Sequence, residues 1–270
     1  MTDEKTSDPP KRIRVVFCLP GKSFSNAFLI QWSETIVALE RTGKYDMKLS
    51  NGYSSFVPFA RAICLGASVQ RGPKQKPFDG KIEYDVLMWI DSDIVFGPQQ
   101  VMDIIDAALN DHPVVSGIYM MDDGKHFAAV KSWDDAYFEK NYTYQFLTAE
   151  DLPKPPEKDA EKSSNKNELV EKPVVTEVEP DEPAETTKKP TKPEYIPCAY
   201  AGMGFMAIRQ GVIEKLDYPW FDHEPCKIGN LVESCSEDVA FCRNLIENKI
   251  IDAIMVNPRM RVAHEKPVFF

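Results

Sequence analysis

The chain has 270 residues, 43% of them hydrophobic, with a formal net charge of -10 and a pI near 5.0. Such a length and apolar share suffice for a substantial core in one domain or two closely packed halves. The acidic balance argues against a nucleic-acid or anionic-membrane surface, which needs a basic face to release counterions.

No apolar run approaches the ~20 residues that span a bilayer, and the polar start MTDEKTSDPPKRIR lacks a signal-peptide core, so the chain reads as soluble and cytoplasmic. The six cysteines contain no C-x-x-C pair, which argues against zinc. Cys226 and Cys235 bracket a loop that an oxidising compartment would bridge; for a cytoplasmic chain reduced thiols are expected. The Asn141-Tyr142-Thr143 sequon has meaning only in a secreted chain.

Residues 13–19 form a β-branched apolar run expected to be a buried first strand, ending at Pro20-Gly21-Lys22-Ser23. A phosphate-binding P-loop is rejected because Val16 stands where its first glycine is required. What remains is a turn at a helix start, where Pro20, Gly21 and Ser23 are placed to let a nucleotide touch backbone amides, or a plain turn. Phe28, Leu29, Trp32, Ile36 and Leu39 recur at helical spacing. A second strand is expected over 45–50, then a helix over 57–69 with Phe59, Ile63 and Leu65 on its buried side. Arg61 shares that helix, either reaching for a nucleotide or lying on the surface with its stem covered.

Segment 84–96, YDVLMWIDSDIVF, is an apolar strand ending in acid. Side chains two apart on extended backbone share a face, so Asp91 and Asp93 are expected to look into one crevice while Ser92 turns away. Two like charges at the exit of a buried strand repel, and a divalent cation would relieve them; oxygen ligands suit Mg or Mn. Open α/β sheets bind ligands beyond the carboxyl ends of their strands, where this pair falls. Chance occurrence in a turn is the competing reading.

Pro98 marks a helix start, and Val101, Ile104, Ile105 and Leu109 make its apolar stripe before a strand over 114–119. Residues 13–119 thus alternate strand and helix, the pattern of a parallel α/β sheet. Segment 151–194 turns to Lys, Glu, Pro, Thr and Ser and reads as a disordered insertion. Beyond it, Gly202 and Gly204 flank Met203, implying backbone pressed against a ligand or a tight crossing. A short helix is expected over 211–216. Tyr218-Pro219-Trp220-Phe221 reads as a sugar platform or as a lid over core. Ser236-Glu237-Asp238 opens a helix, on capping and dipole grounds or as catalytic acids. His264-Glu265-Lys266 follows short strands over 254–256 and 261–263.

As a set, IDSDIVF, AGMGFMAIRQGVIEKL, SEDVAFC and VAHEK resemble the GT-A fold glycosyltransferases, above all small viral and phage-type members. The resemblance implies a single-domain α/β fold: a polar tail over 1–11, a nucleotide-sugar-binding half over 12–150, the insertion, and an acceptor and catalytic half over 195–270. It also implies cytoplasmic residence, in the host for a viral chain, and a metal-dependent transferase moving a sugar from a nucleoside-diphosphate sugar to a hydroxyl of a glycan acceptor. Asp93 would bind Mn or Mg, with Asp91 contacting ribose or a metal water and His264 completing the shell. Ser92, Arg61 and Lys266 would lie against the donor, and Gly202 and Gly204 against donor or acceptor. In inverting relatives the acid at the Asp238 position is the general base, with Glu237 alongside. The alternatives are a sugar nucleotidylyltransferase and a non-catalytic glycan- or nucleotide-binding module.

Overall fold

The computed structural model describes residues 11–153 and 194–265. The N-terminal half runs β1 (Ile13–Pro20), α1 (Asn26–Thr42), β2 (Tyr45–Gly52), α2 (Val57–Cys64), β3 (Val86–Ile90), β4 (Ile94–Val95), α3 (Pro98–Asn110), β5 (Val114–Ile118), β6 (His126–Val130), α4 (Asp135–Asn141) and β7 (Phe146–Thr148). The C-terminal part adds β8 (Ile196–Cys198), β9 (Tyr200–Ala201), β10 (Phe205–Arg209), β11 (Pro225–Ile228), β12 (Leu231–Ser234), α5 (Glu237–Glu247), β13 (Ile254–Arg261) and β14 (Ala263–His264).

Seven strands make one mixed sheet in the order β2-β1-β3-β10-β5-β13-β8, so both halves of the sequence are interleaved in it. Alternation along the strands sorts the core into two faces. Val16, Cys18, Leu87, Trp89, Met206 and Ile208 pack on one side with Phe241 and Leu245 of α5. Val15, Phe17, Met88, Ile90, Phe205 and Ala207 pack on the other with Phe28 and Leu39 of α1 and Ile104 and Ile105 of α3. The result is a Rossmann-like α/β arrangement carrying antiparallel strands. No helix among the described residues is long and apolar enough to cross a membrane.

Local chemistry sets the boundaries. Ser25 Oγ accepts from Phe28 N at 3.0 Å to cap α1, and Gly43 at φ 64° closes it. Pro98 occupies the first turn of α3 as its spacing predicts, while Gln100 Oε1 accepts from Gly97 N at 2.7 Å.

Several expectations are corrected. The strands of residues 13–119 run parallel as expected, but they are not all neighbours: β10, from the C-terminal part, lies antiparallel between β3 and β5 and pairs on both edges. Helix α2 stops at Cys64, where Gly66 turns left-handed; Leu65 is buried as expected, but Phe59 and Ile63 are exposed, and Ala60, Arg61 and Ala62 are buried instead. Leu29 of α1 is exposed as well. Cys226 and Cys235 form a disulfide rather than reduced thiols, because the β11–β12 hairpin folds their Cα atoms to 6.0 Å apart. Trp220 and Phe221 are core residues, so the aromatic loop is mainly a lid. Ordered chain extends past 151: Ala149–Asp151 is a turn of 3-10 helix, and Leu152 is buried. The rest of the expected insertion, the terminal tail to residue 10 and Lys266 lie outside the described residues.

Candidate active site

The carboxyl ends of β1 and β3 open onto a cavity of about 480 Å³. Pro20, Gly21 and Ser23 line it from the first loop, and Asp91, Ser92 and Asp93 from the second. Six residues nominated from sequence therefore meet in one cleft. The first loop is pinned to the end of β2, since Gly21 N donates to Gly52 O at 2.9 Å and the Asn51 amide donates to Leu19 O at 2.7 Å and Gly21 O at 3.0 Å. A Cβ on Gly21 would stand 2.9 Å from the Ser92 Cβ, so the two loops touch only because residue 21 is glycine.

Extended alternation does not describe the acidic pair. Strand β3 ends at Ile90, and Asp91-Ser92-Asp93 is a turn closed by Ile94 N donating to Asp91 O at 3.1 Å. Ser92 therefore lines the cleft with its neighbours instead of turning away. Nor do the acids share one partner. Arg61 Nη1 and Nη2 donate to the two oxygens of Asp91 at 2.9 and 3.0 Å, whereas Asp93 Oδ2 lies 3.1 Å from His264 Nε2. Each acid thus has a side-chain partner from a distant part of the chain.

Arg61 is neither a surface residue nor a lining residue of the cleft. It is 3% exposed, sits with its guanidinium 5.7 Å from the Trp89 ring centroid, and donates through Nε to Glu237 Oε1 at 3.1 Å. Burial opposes its charge, but Asp91 and then Glu237 outweigh it and hold the guanidinium above its ordinary value. It serves as counterion to two acids drawn from distant parts of the chain.

His264 is placed by backbone pairing. Strand β14 runs antiparallel to β4 with His264 opposite Ile94, and Glu265 N donates to Asp93 O at 2.7 Å. The imidazole Nδ1 lies 3.2 Å from Met120 O, and its ring packs 5.2 Å from Tyr119. Met120 O and the Asp93 carboxylate are both acceptors, and the imidazole turns one ring nitrogen to each.

The first turn of α5 separates the two remaining acids. Glu237 is 8% exposed and turned to Arg61; burial pushes its carboxyl above the ordinary value even with that cation beside it. Asp238 is partly exposed: Tyr200 Oη donates to Oδ2 at 2.9 Å, Val239 N to Oδ1 at 2.9 Å, and the Ser236 hydroxyl also to Oδ1. Burial and then Asp238 itself raise the Tyr200 phenol well above its ordinary value, keeping it a donor. Ser236 makes no side-chain cap to the helix backbone, while Glu237 and Asp238 stand in the first turn, where the helix dipole favours acids.

Gly202 and Gly204 press on a side chain rather than into the cleft. A Cβ at either would stand 2.2 or 2.8 Å from the Tyr119 hydroxyl, which accepts from Gly204 N at 3.1 Å. Gly204 still serves the site, because its carbonyl accepts from Asp91 N at 2.9 Å and holds the acidic turn.

Sequence reasoning missed Tyr53, Tyr119 and Tyr200. Tyr53 lines the cleft with Lys22 Nζ 5.6 Å from its ring centroid. Tyr200 carried the one available signal, a hydroxyl beside the Gly202 turn in an otherwise apolar run.

Among the described residues no group of three or more His, Cys, Asp and Glu side chains is arranged to hold a metal ion. Asp93 and His264 alone fit: adjacent ligands at right angles around an octahedral ion, each about 2.1 Å from it, stand roughly 3.0 Å apart, close to the 3.1 Å found. Asp91 is occupied by Arg61.

No family model matches this chain, and no curated protein matches it. Among solved structures it matches the crystal structure of A197 from STIV, a viral protein, with a TM-score of 0.40 and 14% identity over 94% of this chain and 82% of that one. A likeness that distant says nothing about chemistry.

Proposed function

We propose that this chain is a glycosyltransferase of the GT-A type, moving a sugar from a nucleoside-diphosphate donor to a hydroxyl of a glycan acceptor with the help of Mn or Mg. The observation that carries the reading is the meeting of Asp93 with His264 across 171 residues at the mouth of a cleft whose other wall is the Pro20–Ser23 loop. Asp93 and His264 would hold the ion, with donor phosphate oxygens and water as its other ligands. When bound, the ion supplies positive charge where the departing diphosphate gathers negative charge.

The chain's own residues divide the remaining work. Lys22 and the backbone of Gly21 and Ser23 face the phosphates, and the half-exposed Tyr53 ring offers an aromatic face to a base. Arg61 ties Asp91 to Glu237, keeping the donor turn in register with α5. Asp238, oriented by three donors and open to solvent, takes the proton of the acceptor hydroxyl in an inverting transfer.

The test is release of nucleoside diphosphate from a panel of UDP- and GDP-sugars with Mn, by wild type, Asp93→Ala and His264→Ala. Wild type should release product and both variants should lose most of it. An Asp93→Ala protein as active as wild type would sink the proposal, and pyrophosphate made from nucleoside triphosphate and sugar phosphate would replace it with nucleotidyl transfer.

A further inference from the structure

A second cavity, of about 380 Å³, opens at the far end of α5, and none of its lining residues belongs to the acidic cleft. The exposed part of the Tyr218-Pro219 loop forms one wall, with Trp220 behind it at 5.5 Å from the Tyr218 ring. Asn244 and Asn248, one helical turn apart, form the facing wall beside Glu224 and Lys215.

The chemistry of this lining selects among ligand classes. Its two lysines are balanced by two acids, and Lys74 is already paired with Asp217 at 2.7 Å, so neither a polyphosphate nor a polycation finds a complementary field. Amide, carboxylate and ammonium groups beside an aromatic wall instead suit a ligand with many neutral hydroxyls and an apolar ring face.

Contacts also link this cavity's lining to that of the acidic cleft. Glu224 O accepts from Cys235 N at 3.1 Å, His223 Nδ1 lies 2.9 Å from Cys235 O, and the His223 ring packs 5.0 Å from Phe56, whose neighbour Val57 lines the acidic cleft. These contacts link residues beside the two cavities through the buried Cys235. Along α5, Asn244 lies about 10 Å from Glu237 at the ordinary helical rise, a span that a few linked sugar rings cover.

We infer that this cavity is a second carbohydrate subsite, seating the distal part of a neutral oligosaccharide whose reacting end lies at Asp238. Its role as the far arm of an acceptor rests on the transferase reading; its affinity for the glycan does not.

Saturation-transfer NMR of the full chain with linear tetrasaccharides of glucose, mannose, galactose and N-acetylglucosamine tests it, in wild type, Asn244→Ala/Asn248→Ala and Tyr218→Ala. The two asparagines lie on the solvent side of α5, so their double variant keeps the core intact. At least one tetrasaccharide should bind wild type. The double variant should weaken it roughly tenfold, as expected for two lost hydrogen bonds, and Tyr218→Ala should weaken it too. No binding by any tetrasaccharide, or binding by the cavity variants equal to wild type, overturns the inference. Glycan bound in this cavity by a protein that releases no nucleoside diphosphate from any donor would sink the transferase reading and leave the subsite standing.

Discussion

Arg61 grips Asp91 through both guanidinium nitrogens, at 2.9 and 3.0 Å, and reaches Glu237 through its third. A bidentate, largely desolvated pair of this kind is directional as well as charged. It joins the turn after β3 to the first turn of α5, two elements 146 residues apart by the numbering of the two acids, 237 less 91.

Removing the guanidinium strands a buried acid. Arg61→Met should destabilise the protein by about 3–5 kcal/mol, the usual consequence of breaking one side of a buried pair. Adding Glu237→Gln should recover part of that loss. Arg61→Lys should recover little, because an ammonium cannot span both acids. Urea unfolding of the three variants measures it, and an Arg61→Met midpoint equal to wild type would show that the triad contributes nothing.

The two acids of α5 should separate functionally. Asp238→Asn keeps the shape and two of the orienting donors but removes the base, so transfer should fall about 10²–10⁴-fold while Mn-dependent donor binding persists. Glu237→Gln should act mainly on stability, since its side chain faces Arg61 rather than the cleft. Transfer rates beside nucleotide binding constants distinguish the two. Full turnover by Asp238→Asn would remove it from the chemistry.

Gly202 and Tyr119 should be energetically coupled. A methyl group at residue 202 would overlap the phenol oxygen, whereas without that oxygen the nearest ring atom is 3.1 Å away. Gly202→Ala should cost about 1–3 kcal/mol, and Tyr119→Phe about 1 kcal/mol for the acceptor that Gly204 N loses. The double variant should be more stable than the sum of the two losses, as a double-mutant cycle in thermal unfolding will read. Strict additivity would contradict the packing described.

Acid stability should depend on Asp85. Its carboxylate accepts from Arg14 Nε at 3.1 Å, Nη2 at 2.7 Å and backbone N at 2.8 Å, and these bonds hold it below its ordinary 3.8. A depressed carboxyl binds fewer protons folded than unfolded, so its contribution is present above that ordinary value and disappears as pH falls through the folded value. Asp85→Asn should lose about 1 kcal/mol near neutral pH, a figure discounted for partial exposure, and little more on acidification. Unfolding midpoints from about pH 7 down to about pH 2 check it; equal acid slopes in the two proteins would exclude Asp85 as a source.

Much of the cleft was legible because it depends on local chemistry. Pro20, Gly21, Ser23, Asp91, Ser92 and Asp93 stand in loops that follow apolar strands, and strand ends are readable from hydropathy alone. Arg61 was misjudged because helical periodicity assigns a lone arginine to the solvent face; only two acids from elsewhere make its burial favourable. Phe59 and Ile63 were misjudged in the converse way, since apolar residues on a short helix carry no label saying which side the sheet lies on.

By itself the sequence determined where β1, β3, α3 and β5 run, that the chain is α/β, and that two acids stand at the exit of its most buried strand, because each follows from side-chain order along a few residues. Tertiary structure alone decided that β10 reverses between β3 and β5, that Cys226 meets Cys235 across a hairpin, and that Asp91 answers to Arg61 while Asp93 answers to His264. Those are pairings across long stretches of chain. They are selected by the free energy of burying and matching surfaces in the whole fold, which no local pattern encodes.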